Sequence, residues 1–420
     1  MTLPQSQSTL GIDFGTSNSA VGLTVNGKAH LIDVEPGGQT LPTSVFFDPS
    51  LRRALYGSPA NAALIEGREG RFMRSLKRVL GTPLMHESRH IQGERLTFVD
   101  IIGRFLATLK ARAEAACFQS FDSVVSGRPV HFHTNDPERD AQALADLTAC
   151  YEYAGFRDIR FLAEPEAAAR AYGALDTDTL ALIVDIGGGT SDFSVFRGGA
   201  SGTEILASHG VRIGGTNFDK SLSVDHVMPL FGRGSDLRKE MGPGVLRAPG
   251  HLFQDLASWE KIPFLYSGEL QRDVARMEKL AVNPEKFARL GTVLEHHLGH
   301  DVAFAVEKGK IAANTPERDA AIIDLKVVQP RLAVPLTKTD LAQSLAEDVA
   351  RIRTCARETL NLAGIAPSAI DRVIFVGGSS LMAVVSDAIR DEFPAARLEY
   401  SDALTAVVTG LALAAGDVPG

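Results

Sequence analysis

Leu182-Ile-Val-Asp-Ile-Gly-Gly-Gly-Thr-Ser-Asp-Phe-Ser-Val195 is the stretch on which the reading of this chain turns. A β-branched apolar run ends in Asp185. Gly187, Gly188 and Gly189 follow, then Thr190, Ser191 and Asp192, and a second apolar run from Phe193 to Phe196. Strand, glycine turn, strand reads as a hairpin. Lacking Cβ, the glycines let backbone N–H groups close around an anion such as a phosphate. Asp185 and Asp192 beside that turn suit a hydrated Mg²⁺, which takes one or two carboxylates together with phosphate oxygens. Taken alone, the stretch equally allows a tight β-turn with no ligand.

A second copy stands near the start, in Leu10-Gly-Ile-Asp-Phe-Gly-Thr-Ser-Asn-Ser-Ala-Val21. Aligned on Thr-Ser, Asp13 answers Asp185, Gly15 answers Gly189, Thr16 answers Thr190, Ser17 answers Ser191 and Asn18 answers Asp192. Two matching turns far apart in the chain predict a duplicated unit with one turn from each half. Neither turn is followed by Gly-Lys-Ser/Thr, so this is not the Walker pattern, and neither is G-x-G-x-x-G opening a helix.

With 420 residues the chain can form two to four compact units with sizeable cores. Its apolar and charged fractions, 45% and 22%, are ordinary for a globular protein. The formal charge of −8, with acids and bases mixed along the chain, argues against nucleic-acid binding, which needs a basic footprint. Cys117, Cys150 and Cys355 stand isolated, so neither a disulfide framework nor a zinc knuckle is expected. Met1 to Thr9 is polar, without the basic and apolar regions of a secretory signal. No apolar run approaches the ~20 residues that span a bilayer. A cytoplasmic protein with no membrane partner is the expectation.

Taken in order, Lys28 to Phe47 reads as a short β-meander between turn signals. Ser58 to Val79 reads as helical and ends in a basic run, of which Arg71, Arg74 and Arg78 are assigned to a solvated face. Thr97 to Ala116 is an amphipathic helix lined by Phe98, Ile101, Ile102, Phe105, Leu106 and Leu109. Ser123 to Phe132 reads as a strand, and Asp136-Pro137 as the start of a helix that stops at Gly155. Ile159 to Ala163 is a further strand, leading into the Ala-rich helix Glu164 to Gly173 with Pro165 in its first turn. Glu164 is either a helix-start charge or a carboxylate facing the site. This alternation of strands and helices predicts an α/β sheet domain.

Gly210 to Asp219 reads as another glycine turn entering a helix, and residues 225–315 as a helical insertion. Within it, His296 and His300 lie four apart on one helical face. They are read as part of a solvated histidine-rich helix rather than a metal pair, since no third ligand stands nearby in a recognisable motif. His131 and His133, sharing one face of a strand, are read as structural. Thr339 is expected to cap a long amphipathic helix that Gly364 ends. It leads to a buried strand and the glycine turn Gly377-Gly378-Ser379, at the strand end where ligands sit in open α/β sheets. An Ala-rich helix from about Leu404 to Ala415 closes the chain.

Five motifs occur here in order: Asp-Phe-Gly-Thr-Ser-Asn-Ser, Glu-Pro-x-Ala-Ala-Ala-x-Ala-Tyr-Gly, Asp-Ile-Gly-Gly-Gly-Thr-Ser-Asp, Ile-Gly-Gly-x-x-Phe-Asp and Val-Gly-Gly-Ser-Ser. Together they resemble the nucleotide-binding domain of the seventy-kilodalton heat-shock chaperones, from about Gly11 to Gly416. The chain looks most like the short YegD-type members, which lack a substrate-binding domain. The resemblance implies an α/β fold of the actin-like ATPase superfold: duplicated ribonuclease-H-like domains with a nucleotide cleft between lobes. Lobe I is expected over 1–180, with an inserted subdomain at about 36–110. Lobe II is expected over 181–420, with a helical subdomain at about 219–315.

What the resemblance implies for the site is ATP or ADP with Mg²⁺. Asp13, Gly15, Thr16, Ser17 and Asn18 would form the first phosphate turn. Asp185, Gly187, Gly188, Gly189 and Thr190, with Asp192, would form the second. Asp13 and Asp185 would hold the metal through water. Lys77 matches a lysine that helps place the attacking water, and Glu164 a carboxylate that acts as base or holds that water. Gly214 and Gly215 match glycines that close over the nucleotide, and Gly377, Gly378 and Ser379 the turn under the adenine. Glu307 and Lys310 match ribose-contacting residues, and Asn314 a serine that contacts the base. The family's two arginines near the base are Ile311 and Leu381 here, removing two stacking partners.

After Ala415 only Gly-Asp-Val-Pro-Gly remains, so no C-terminal peptide-binding domain is expected. The function expected is an ATP-binding chaperone-like protein with slow Mg-dependent hydrolysis and nucleotide-controlled lobe opening. It would be monomeric, with clients or cochaperones acting in trans. The alternatives are a sugar-type small-molecule kinase of the same superfold and an actin-like filament-forming ATPase.

Overall fold

The structure is a computed structural model that describes residues 9–51, 53–173, 176–199, 202–315, 320–400 and 405–417. Residues 1–8 of the polar N-terminal segment and the expected helix start at Leu404 lie outside them. The chain forms two compact units, Met1–Gly215 with Val349–Gly420, and Thr216–Asp348.

The first unit holds two sheets of one topology. In the first, Thr9–Phe14 pairs antiparallel with Asn18–Val25, which pairs antiparallel with Lys28–Leu31. On its other side Thr9–Phe14 runs parallel to Ser123–Arg128, and that strand parallel to Asp158–Ala163. In the second, Leu180–Ile186 pairs antiparallel with Ser191–Gly199, followed by Gly202–Val211. Its other side runs parallel to Arg372–Val376 and then Arg397–Tyr400. Each sheet is three antiparallel strands continued by two parallel ones, and in each a glycine turn joins the first two strands. Tight turns can join only antiparallel neighbours, while the parallel strands arrive by helical crossovers. The duplication expected from the two turns is the architecture found.

The helices that follow the two sheets are exchanged. Glu164–Tyr172, which follows the last strand of the first sheet, packs on the hairpin strands of the second. Ala406–Gly416, which follows the second sheet in the chain, packs on the first. The two helices cross each other in a core of Ala167, Ala168, Ala169, Val407, Leu411 and Ala415, capped by Val125, Ile183, Phe196 and Ile374. Small residues permit this approach. A Cβ on Gly410 would overlap the Ala167 carbonyl, and one on Gly11 would overlap the Ala412 backbone. Thr24 Oγ1 donates to the Ala412 carbonyl at 2.6 Å, tying the terminal helix to the first sheet.

Several local expectations need correction. Lys28 to Phe47 is not one meander: Thr40–Pro42 stays with the first sheet, while Ser44–Asp48 pairs with Arg53–Tyr56 and Arg71–Arg74 in a small sheet of its own. The expected Ser58–Val79 helix stops at Ile65, and the chain turns through Gly67, at φ +68°, into the Arg71–Arg74 strand and a short 3₁₀ turn, Leu76–Val79. The strand from Ser123 ends at Arg128, because Pro129 has no N–H to continue a ladder, so His131 and His133 lie beyond it. The helix Phe98–Cys117 starts as expected, with a capping box between Thr97 and Asp100. Thr339 does not cap the long helix Lys338–Ala363. Thr337 does, exchanging hydrogen bonds with Asp340 at 2.9 and 3.1 Å. Gly364, at φ +67°, ends it.

The second unit is mainly helical, with Gly250–Leu256, Gly268–Leu280, Pro284–Glu295 and Gly299–Ala313, and two hairpins, Asp236–Arg238/Val245–Arg247 and Ala320–Asp324/Ala333–Thr337. His296 and His300 do not share a helix face. His296 is the C-cap of one helix, His297 turns left-handed at φ +56°, and His300 belongs to the next. Nor is His300 solvated: it is buried beside Trp259, ring centroids 6.0 Å apart. Among the described residues no helix is long and apolar enough to cross a membrane.

Candidate functional site

In the first unit the two glycine turns meet face to face. A Cβ on Gly188 would overlap Ser17 Oγ, and one on Gly189 would stand 2.7 Å from Thr16 Oγ1. Only glycine lets the backbone of one turn approach the hydroxyls of the other. Gly214 closes the same spot from behind: its Cβ would lie 2.6 Å from the Gly189 nitrogen, and the Gly215 N–H donates to the Gly187 carbonyl at 3.0 Å. Within the second turn Gly187 N–H donates to Thr190 O at 3.0 Å, and Ser191 Oγ to Ile213 O at 2.8 Å. Gly15 lies against the Asn18 carbonyl in the first turn.

The strands deliver the acids. Asp13 sits one residue from the end of its strand, opposite Ala20. Asp185 stands opposite Asp192 across the hairpin and beside Val376 in the parallel neighbour. Gly377 follows Val376 with φ +80°, and its Cβ would be 2.7 Å from Asp185 Oδ1, so both conformation and space require glycine. Gly378 and Ser379 open the short turn Gly378–Leu381, in which Ser380 Oγ donates to Gly377 O at 2.6 Å. Asp192 Oδ1 accepts from the Val130 N–H at 2.7 Å, and the Thr190 hydroxyl bonds the same side chain.

Lys77 and Glu164 complete the cluster. Ser75, left-handed at φ +61° and buried, turns the Arg71–Arg74 strand into the 3₁₀ turn that carries Lys77. Glu164 is the first residue of its helix, just before Pro165. The Lys77 ammonium donates to Glu164 Oε1, and both side chains are buried.

Three buried carboxylates and the half-buried Asp13 thus share one buried ammonium, with electrostatic consequences. Burial, then the negative charge of Glu164, push Asp13 and Asp192 up to about 7, against the pull of Lys77. Asp185 is driven well above its usual range by burial, Glu164, Asp192 and Asp13. Burial works against the charge of Lys77, but Glu164, Asp13 and Asp192 outweigh it and hold its pKa above the ordinary value. Beside the cluster lies a cavity of about 10 Å³ between Thr16, Lys77, Gly189 and Thr190, the room one water needs.

Residues 9–242 match the family described as Hsp70 protein. This chain belongs to the Hsp70 family. It is 30% identical over 355 residues to the Chaperone protein DnaK of Endomicrobium trichonymphae, a stretch covering 81% of this chain and 53% of that protein. The chain spans about half the length of this curated relative. Its fold is the α/β, duplicated ribonuclease-H-like, actin-like ATPase superfold that the family implies.

Sequence reasoning about this Hsp70 member missed two groupings. Arg71, Arg74 and Arg78 do not form a solvated face, since all three are half-buried. Arg78 Nη1 approaches the Gly189 carbonyl at 3.5 Å, and its own carbonyl accepts from Arg212. Arg212 also meets His133, 2.8 Å from Nη1 to Nδ1. His133 Nε2 lies 2.9 Å from the Leu80 carbonyl, which can only accept. Nε2 therefore carries the hydrogen, and Nδ1 accepts from the guanidinium. The Pro129 break and Arg212, just ahead of Ile213-Gly214-Gly215, were the available signals.

Burial first, with Arg212 and Arg139 adding to it, holds the His133 pKa below 6.5, while the Leu80 contact and Asp140 oppose. The folded chain then binds fewer protons than the unfolded one once pH falls below the unfolded value. This stability is present above that value and lost as pH falls toward the folded pKa. The wild-type melting temperature is expected to drop further between neutral pH and about pH 5 than that of His133→Gln. Equal drops in the two proteins would count against it.

The second grouping lies in the second unit. Lys310 Nζ pairs with Asp219 Oδ1 at 2.7 Å, and Trp259 Nε1 donates to Asp219 Oδ2 at 3.1 Å. All three are buried, and burial, offset by Lys310, raises the Asp219 pKa. Glu307 lies half-buried on the same helix as Lys310, Gly299–Ala313, and Asn314 is its C-cap. The sequence marked Lys310, and Asp219 as the end of the Ile-Gly-Gly-x-x-Phe-Asp motif, but not their pairing, because the two lie 91 residues apart and no local pattern joins them.

Proposed function

We propose that the chain binds ATP with Mg²⁺ at the paired glycine turns and hydrolyses it slowly. What supports this reading is the meeting of two matched strand–turn–strand units, hydroxyls against glycines, beside the buried Lys77–Glu164 pair. The amides and hydroxyls of Gly15 to Asn18 and Gly187 to Thr190 hold the phosphate oxygens, as a concave set of N–H groups does. Half-buried Asp13 and buried Asp185 stand on the two matched turns, oxygen donors of the kind a hard divalent cation takes when phosphate supplies the rest. Asp13 and Asp185 hold it through water, and when bound it neutralises phosphate charge.

Lys77 orients the attacking water, and Glu164 holds that water or takes its proton. Asp192, anchored by Val130 and Thr190, keeps the second turn in register. Nucleotide state sets the opening between lobe I, 1–180, and lobe II, 181–420. Client proteins or cochaperones read that state, as a chaperone-type function requires.

Purified protein with ATP and Mg²⁺ should release ADP slowly, and Asp13→Ala should lower that rate by about 10²-fold. Equal Mg-dependent rates in wild type and Asp13→Ala would remove the catalytic reading.

A further inference from the structure

The hairpin of the second unit, Asp236–Arg238 with Val245–Arg247, carries a sheet edge that no strand among the described residues covers. Its register fixes which backbone groups face outward. Lys239 N–H donates to the Gly244 carbonyl at 3.2 Å, and Ala248 N–H to the Ser235 carbonyl at 3.0 Å. Leu237 and Leu246, midway between, are therefore a hydrogen-bonded pair. In an antiparallel ladder such pairs alternate with residues whose N–H and C=O point away from the partner strand. On one side Asp236 turns its carbonyl outward and accepts from the Val282 N–H at 3.0 Å. On the other side Val245 and Arg247 turn theirs outward, and no backbone group among the described residues meets them.

Side chains around this edge are apolar and uncovered. Met241 is 88% exposed, Leu246 60% and Val245 49%. Folded proteins ordinarily guard a strand edge with a charge, a proline or a covering segment. The charge on this strand is folded back: the Arg247 guanidinium donates to the Gly234 carbonyl and lies 3.2 Å from Asp236. Pro243 lies in the connecting turn, where it blocks neither outward N–H. Both acids of the hairpin are engaged, Asp236 by Arg247, and Glu240 by Arg276 through bonds of 2.5 and 3.0 Å. Arg238 and Lys239 are exposed, and neither forms an ion pair among the described residues.

We propose that this edge is a docking site for an extended segment of a partner protein that carries apolar and acidic residues. Such a segment adds a strand beside Val245–Arg247, and its backbone exchanges hydrogen bonds with the outward groups of Val245 and Arg247. Its apolar side chains cover Val245 or Leu246, and its carboxylates meet Arg238 or Lys239. Each face of the hairpin offers one of each kind, since Val245 stands opposite Arg238, and Lys239 lies two residues past Leu237, the partner of Leu246. A second copy of the hairpin would present the same edge but no carboxylate, because both of its acids are already paired.

The full chain, without nucleotide, should bind a fluorescein-labelled peptide of alternating valine and glutamate, read by fluorescence anisotropy. Val245→Pro removes one outward N–H that the hairpin's own ladder does not use, and affinity should fall about fivefold. Lys239→Glu should weaken binding by a similar factor at low ionic strength, and by less in about 0.5 M salt. The same peptide with every amide N-methylated probes the pairing without touching the protein, and should not bind. Equal binding of the methylated and parent peptides overturns the proposal, as does a valine–lysine peptide that binds as tightly as the valine–glutamate one. No binding of the valine–glutamate peptide to wild type overturns it too. A wild-type dimer in sedimentation that Val245→Pro dissociates overturns it in favour of a second copy.

Discussion

Lys77→Ala is expected to lower Mg-dependent ATP hydrolysis by about 10²–10³-fold, the loss typical of removing one preorganised donor from a reacting centre. The ammonium has two roles there. It is the buried cation that offsets Glu164, Asp13, Asp185 and Asp192, and it holds Glu164 by a direct hydrogen bond. Removing it leaves Glu164 buried without its counter-charge, a change worth about 3–5 kcal/mol in other buried pairs.

The pKa of Lys77 is raised above 10.5, so its stabilisation is complete below that value and is lost only as pH rises through the folded pKa. The stability gap between wild type and Lys77→Ala therefore owes nothing to lysine titration near neutrality. Asp13 and Asp192, already at about 7, take up protons as pH falls and shrink the gap from the acid side. Lys77→Ala/Glu164→Gln should recover much of the stability and none of the hydrolysis. Were the double variant no more stable than Lys77→Ala, the buried-pair argument would be wrong.

Gly410→Ala is expected to destabilise the protein, against the usual helix trend. Inside a helix, alanine is ordinarily better than glycine by about 1 kcal/mol. Here the new methyl would overlap the Ala167 carbonyl of the crossing helix. A backbone carbonyl in a packed helix cannot swing aside as a side chain can, so the overpacking cost of about 1–3 kcal/mol or more outweighs the propensity gain. Gly410→Val adds further bulk at the same point. At roughly 2–4 °C per kcal/mol, the alanine variant should melt several degrees lower and the valine variant lower still.

The displaced helix begins at Glu164, three residues before Ala167, so hydrolysis should fall as well. A melting temperature equal to or above wild type for Gly410→Ala would show that the helices are not held at this distance.

Much of the site was legible because its residues sit in short local patterns. Asp13 to Asn18 and Asp185 to Asp192 announced themselves as matching turns, since a glycine turn between apolar strands is written in consecutive residues. The start of the Phe98–Cys117 helix and the Gly364 stop were legible for the same reason. Errors fell where a local cue had a competitor. Thr339 looked like a cap, but Thr337 has Asp340 three residues on and closes the reciprocal bond. The basic run from Arg71 to Arg78 looked like a solvated helix face, yet its first half pairs with Ser44–Asp48 as a strand, a partner far enough away in sequence to leave no periodicity.

The sequence by itself determined that this chain carries two copies of one acid–glycine–hydroxyl turn on apolar strands, and hence a duplicated α/β fold. Those features are local, and backbone sterics dictate them wherever the residues occur. Only the tertiary structure decided what surrounds the turns. The exchange of the two Ala-rich helices, the left-handed Ser75 that presents Lys77, the His133–Arg212 contact and the Asp219–Lys310–Trp259 grouping all join residues distant in sequence. Such pairings are set by which surfaces pack in the folded core and which buried charges must find partners there, and neither constraint leaves a mark on neighbouring residues.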